Sequence, residues 1–357
     1  MRRLLCLVLL CAASPAFASF AFRRTITIDH TQCGSADSTN IPVLVSGTLS
    51  YLATVANGGN SLNASGFDIG FYSDAALTVK LKWETVQWAN TGAGLEYWIK
   101  IPTLSHSVDT VIYLAYGDAA ITTDQSDAAN TWNSNFSAVY HFGDGSTLGL
   151  GDSTSHALTL TNHSATASAG QIGGSISTTA SNYAQATGTT QTYTGGFTLS
   201  AWINSTFAGV GYILKTGNST NAGEPSIKIF VQAQVGEAGG GGGRAIGTTT
   251  VDTGSWFHIL GTYDGSSAFK IYVNGVLENT TTPGGSVADG VQVWIGRESA
   301  GTNIYTGLID EAEVQIGVRD QSWATSVYNN QKTGSTFLAI GSATAIGGGV
   351  RHRAIAM

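Results

Sequence analysis

Period-two alternation of apolar and polar side chains runs through several stretches of this chain. Among regular structures, an extended strand with two unlike faces is what satisfies it. Ile26 and Ile28 share one face of Thr25–Asp29, while Thr25 and Thr27 share the other. Leu95, Tyr97, Ile99 and Ile101 alternate with Glu96, Trp98 and Lys100. Phe197, Leu199, Ala201 and Ile203 alternate with Thr198, Ser200 and Trp202. Phe269, Ile271 and Val273 oppose Lys270 and Tyr272; Val291, Val293 and Ile295 oppose Gln292 and Trp294. Asn274-Gly275, directly after Val273, predicts a two-residue hairpin, because a tight primed turn needs positive φ. Helical periodicity is scarce. Asp320–Gln331 predicts one short helix, a packing element with Asp320 as N-cap and Trp323 and Val327 on one face. Glycine is abundant (46) and proline rare (5), which suits an all-β chain with many turns.

The first residues carry an export pattern. Arg2 and Arg3 precede the apolar run Leu4–Ala13, and Ala16-Phe17-Ala18 is a small-x-small cleavage site. Residues 1–18 therefore read as a signal peptide, too short in its apolar part to span a bilayer. Cys6 and Cys11 leave with it, so Cys33 has no partner for an internal disulfide. No later segment is apolar for long enough to cross a membrane as a helix. The chain is expected to be exported, to periplasm, cell surface or medium. The net charge is −7, and Lys and Arg total 16 without a basic cluster before Arg351-His352-Arg353. Nucleic acid is thereby excluded as a partner, since phosphate backbones are held chiefly by Lys and Arg. The remaining length suffices for two domains. The polar run Ala119–Trp132 marks the boundary. Gly236–Arg244 contains a G-x-G-x-x-G match, but neither Lys-Ser/Thr nor a helical pattern follows, so it reads as a loop between strands. The tail, 342–357, is expected to be disordered.

Two resemblances rest on these residues. "FRRTITID", "IPVLV", "FDIGFYSD", "VQWANTGAGLEYWIKIP" and "TVIYLAYGD", within residues 20–121, resemble in order the bacterial DUF2341 domain, a family without an assigned function. "SAVYHFGD", "GDSTSHALTLTN", "FTLSAWI", "WFHILGTYDG", "IYVNGVLENT", "WIGR" and "GLIDEAEV", within residues 132–341, resemble the LamG-like, concanavalin A-like lectin/glucanase jellyroll. The expected architecture is an N-terminal β-sandwich-like domain followed by a concanavalin A-like jellyroll β-sandwich.

Asp310, Glu311 and Glu313 stand within four residues of "GLIDEAEVQIG". Retaining glycosidases need two carboxyls about 5–5.5 Å apart, and the β-glucanases of this superfamily resemble one another in a strand reading Glu-x-Asp-x-(x)-Glu. Asp310 would need Glu at Leu308, and Glu311 and Glu313 would need Asp at Ala312. Strict alternation would also split the three acids, with Leu308, Asp310 and Ala312 on one face and Ile309, Glu311 and Glu313 on the other. No catalytic residue is assigned. The LamG-like resemblance implies a structural calcium ion with Asp310 and Asp152 as ligands; the alternative is that Asp310 accepts loop amides and Asp152 begins a turn. His141, His156, His163 and His258 are scattered and read as satisfied strand histidines, since zinc wants closer, patterned ligands. Trp202 and Trp294 have the parity opposite to their aliphatic neighbours, which would make them an outward platform for sugar rings; the alternative packs each under a loop. The expected function is non-catalytic recognition of glycans or glycosylated surface partners at the bacterial envelope. The alternatives are a structural or adhesive protein contacting protein, and a glycoside hydrolase or lyase.

Overall fold

The computed structural model describes residues 20–346, apart from 194, 218–223, 239–242, 283–286, 289, 299–300 and 302. The signal-peptide residues and the centre of the Gly236–Arg244 loop lie outside the described residues. The chain's regular structure is chiefly strand, and the named strand pairs are antiparallel. Two sheets form the N-terminal part. One runs in the order Leu338–Ile340, Phe22–Ile28, Thr110–Tyr116, Ile69–Tyr72, with Thr344–Ala345 also paired to Phe22–Arg23. The other is Ser38–Gly47, Leu95–Leu104, Trp83–Gln87. Part of the tail expected to be disordered is thus a strand, because Phe22 and Arg23 offer it free ladder groups; residues 347–357 lie outside the described residues.

The second part is a sandwich of two larger sheets. One contains, in order, Val276–Thr281, Phe269–Val273, Trp256–Tyr263, Phe197–Asn204, Gly307–Ile316, Gly174–Thr178 and Thr166–Ala169, with Phe136–Tyr140 also paired to Gly307–Ile316. The other contains Arg244–Thr250, Gln232–Ala238, Glu224–Phe230, Gly211–Thr216, Gly290–Ile295, Tyr183–Gln191 and Thr161–His163. Alternation explains why they stack. Phe197, Leu199, Ala201 and Ile203 meet Ile213, Ile227, Val235, Val293 and Ile295 in one buried core. The hairpin at Asn274-Gly275 forms as expected: Val273 faces Val276, and both turn residues have positive φ, 50° and 75°.

A second core joins the two parts. Leu95, Tyr97, Ile99 and Ile101 turn toward Ile26, Ile112 and Leu114. The opposite face of the same strand carries Glu96 and Trp98, and it too is buried, against the outer face of the sandwich. The helix Gln321–Gln331 wedges into this junction through Trp323, Ala324 and Val327. Asn330 clamps it there, since its side chain both accepts from Leu44 N and donates to Leu44 O, at 2.7 and 3.0 Å. Asp320 caps the helix by accepting from the Trp323 amide at 2.9 Å. Asp320→Ala is expected to cost about 1 kcal/mol in urea unfolding.

Candidate functional site

The acidic strand, Gly307–Ile316, does not alternate regularly. Opposite it, Trp202 pairs with Asp310 and Ser200 with Glu313, so Ala201 alone faces both Glu311 and Ala312. This is a β-bulge: one extra residue on one strand, with a local change of parity. Glu311 sits at its centre with φ of 48°, a conformation that non-glycine residues adopt only where the surroundings enforce it. The bulge overturns the expected split of the acids. Ile309, Ala312 and Val314 point into the sandwich core, while Asp310, Glu311 and Glu313 are carried to the outer face, toward the N-terminal part.

There Glu311 meets His141, just past the Phe136–Tyr140 strand. Its Nδ1 donates to Glu311, at 2.8 Å to Oε2 and 3.0 Å to Oε1, and its Nε2 lies 3.3 Å from Glu84 Oε2. With a carboxylate on each nitrogen, the ring satisfies both only as an imidazolium. Trp98 stacks on it and Trp132 tilts against it, both with ring centres 5.5 Å away. Glu84 also accepts from Ser153 Oγ at 2.6 Å and from the Trp132 indole. Glu96 Oε1 accepts from Trp98 Nε1 at 3.1 Å and lies 4.0 Å from His141 Nδ1. Glu313 accepts from Gln315 at 2.8 Å and Ser200 at 3.2 Å.

The electrostatics follow from many buried acids around one buried cation. Burial would lower the His141 pKa, but the Glu311 and Glu84 carboxylates hold it well above the usual histidine range. Burial, then the neighbouring Glu311, pushes Glu96 up to about 8. The same two causes raise Glu313 to about 7 and hold Asp310 above the carboxylate range. Glu311 is raised by burial against the pull of His141. Glu84 is the exception: burial pushes upward, but His141 and its hydrogen bonds hold it below its ordinary value. The backbone packs closely on one side of the site, since a Cβ at Gly173, whose φ is +50°, would lie 2.7 Å from Glu96 Oε2 and 3.0 Å from the Gly143 carbonyl oxygen.

Asp310 and Asp152 stand apart from this ligand-like arrangement. Asp310 spends its oxygens on the amides of Ile172 and Glu311, at 2.9 and 2.8 Å. Asp152 accepts from the amides of Val139, Thr154 and Leu158 and from Thr154 Oγ1, all within 3.0 Å. Each carboxylate is thus engaged by protein donors, as in the turn-and-amide alternative. A calcium ion, which wants six to eight free oxygens, does not fit this pair as it stands. Asp310, Glu311 and Glu313 also fail to make an accessible hydrolytic site, being 0%, 2% and 5% exposed.

Trp202 and Trp294 both point away from the sandwich core, as their parity requires, but on opposite sheets. Neither is an open platform. The C-terminal helix covers Trp202, whose Nε1 donates to Gln331 at 2.6 Å. Trp294 donates to Gly217 O at 2.9 Å and stacks against Tyr183. Trp202 nevertheless lines a groove of about 440 Å³, together with the half-buried Trp256 and Tyr328 and the polar Asn204, Gln171, Lys332 and Thr333. Gln171, Lys332 and Thr333 also line a second cleft, of about 450 Å³, whose wall includes Gln87, Glu96, Asn330 and Gln331. Trp256 stands opposite Asn204 in the sheet, two residues from His258, so the alternation that singled out Trp202 also reaches Trp256.

Residues 178–323 match the family model of the concanavalin A-like lectin/glucanases superfamily. No curated protein matches the chain by sequence. Among solved structures, domain 4 of AbnA, a GH43 extracellular arabinanase from Geobacillus stearothermophilus, in complex with arabinotriose, is 18% identical. The match covers 54% of this chain and 98% of that one, with a TM-score of 0.43. A structure describing botulinum neurotoxin type C cell entry through two ganglioside molecules is 14% identical over 58% of this chain and 53% of that one, with a TM-score of 0.44. The botulinum neurotoxin serotype D/C VPI 5993 binding domain is 13% identical, covering 58% and 54%, with a TM-score of 0.45. The chain spans about half the length of these neurotoxin chains.

Proposed function

We propose that this chain is an exported, non-catalytic carbohydrate-recognition protein, with an N-terminal DUF2341-like domain docked on a concanavalin A-like sandwich. One observation carries the reading: the groove that sets Trp256 and Tyr328, over the buried Trp202, beside Asn204, Gln171, Lys332 and Thr333. Partly exposed rings with amide, hydroxyl and ammonium groups at their rim suit a sugar, whose apolar faces stack and whose hydroxyls need partners. The matched superfamily model supports the same reading. Glycosylated surface partners are the natural ligands of such a site on an exported protein. Burial of the acid cluster favours recognition over hydrolysis.

Glycan-array binding of the full chain tests this. Trp256→Ala and Tyr328→Ala are each expected to weaken binding about three- to tenfold with the melting transition retained. An array with no bound glycan overturns the reading, as does binding indifferent to both substitutions. Release of reducing ends from a bound polysaccharide would replace it with the hydrolase alternative.

A further inference from the structure

We infer that Glu96, His141 and Glu311 form a binding site for a divalent transition-metal ion, with zinc as the working probe, at the junction of the two parts of the chain. Three ligand atoms of the right types, one from each residue, lie within 4.8 Å of one another, and all three residues are buried. The separations from His141 Nδ1 are 2.8 Å to Glu311 and 4.0 Å to Glu96. A tetrahedral zinc site with bonds of about 2.1 Å has ligand atoms about 3.4 Å apart, so each distance from His141 Nδ1 would change by roughly half an ångström, and the Glu96–Glu311 separation, at most 4.8 Å, would close by up to about 1.4 Å.

Two further features point to a cation. Glu96 has a side chain only 3% exposed, and its Oε2 accepts no hydrogen bond among the described residues. That oxygen is a free acceptor on the inner side of a largely buried carboxyl, open to an incoming cation. The second is Glu84 on the far nitrogen of His141, itself fixed by Ser153 and the Trp132 indole. A carboxylate on the other ring nitrogen is the arrangement that orients a metal-bound histidine. Glu96 also lines the 450 Å³ cleft, which supplies an entry path. On uptake the ion displaces the Nδ1 proton and any carboxyl proton on Glu96 or Glu311 to solvent, while Glu84 keeps the Nε2 proton. Imidazole with carboxylates suits zinc and its first-row neighbours. The ion would tie the two parts together, since Glu96 belongs to one and His141 and Glu311 to the other.

The test uses the full chain, loaded with zinc, desalted and assayed for bound metal by mass spectrometry, with melting followed in parallel. One zinc per chain is expected, with a raised melting temperature that chelator reverses. Glu96→Gln is expected to lose the retained zinc yet fold, because it replaces a costly buried carboxyl by a neutral group of the same shape. Glu84→Gln is expected to weaken binding about 10- to 100-fold. Asp29, His30 and Asp109 form another cluster of possible ligands nearer the surface, so Asp109→Asn serves as control and is expected to leave the bound zinc unchanged. The inference is overturned if wild type retains no zinc and its melting ignores the ion. It is equally overturned if Glu96→Gln binds like wild type, or if Asp109→Asn alone removes the metal. The readout is metal content, so the result is independent of glycan binding.

Discussion

Replacing His141 with glutamine is expected to destabilise the metal-free chain by about 3–5 kcal/mol, measured by urea unfolding at pH 7. The imidazolium is the cation between Glu84 and Glu311, and its ring is 6% exposed. Taking it away leaves Glu84, the carboxyl held below its usual range, as an uncompensated buried charge. Glutamine keeps a donor for one neighbour but neither the charge nor the second ring contact with Trp98 and Trp132. The source of the loss can be separated from packing. In the double variant with Glu84→Gln, part of the cost should return, because the orphaned charge is gone. A single-variant loss below about 1 kcal/mol would mean that solvent reaches the pair and screens it.

Why this site escaped a reading of letters is instructive in physical terms. The sandwich-core face was legible from alternation, as in Phe269, Ile271 and Val273, and so were the Asn274-Gly275 turn and the Asp320 cap. These features depend on neighbours within a few residues. The bulge at Glu311 does not. Alternation assumes one residue per pleat, and the extra residue opposite Ala201 is set by pairing with a strand more than a hundred positions away. The partners of His141 are equally remote, 57 residues back for Glu84 and 170 forward for Glu311. One signal was present. In Leu95–Leu104 the face opposite the aliphatic residues carries Glu96 beside Trp98, and a large indole on a face expected to meet solvent marks a second buried surface. Trp202 offered the same hint, and a helix does cover it. The groove beside it needed the fold, because Trp256, Asn204 and Tyr328 are gathered from two strands and a helix.

Stability of the chelator-treated chain is expected to fall between pH 6.5 and 8, against the more usual plateau in that range. Burial and Glu311 put Glu96 at about 8, and the same causes put Glu313 at about 7, both above the unfolded value near 4.3. Between those limits the folded chain holds protons that the unfolded chain releases. Folding therefore weakens as pH rises, at about 1.4 kcal/mol per pH unit for each group. Asp310 and Glu311, also raised by burial, act in the same direction. The His141 contribution is fully present below the unfolded value near 6.5 and is lost only as pH rises through its raised folded value, so it never opposes the trend. His258 does oppose it. Burial holds this imidazole down at about 3, so the unfolded chain binds more protons from there to about 6.5, and stability gains with pH across that span. The two effects partly cancel below pH 6.5, and only the decline remains above it, about 2–3 kcal/mol by pH 8. Melting temperatures at pH 5, 6.5 and 8 measure it. Glu96→Gln with Glu313→Gln should flatten the upper limb, and a wild-type transition that holds or rises from pH 6.5 to 8 would contradict the assignment. Adding zinc should flatten it as well, because an ion on Glu96 and Glu311 favours the ionised carboxyls that otherwise cost stability.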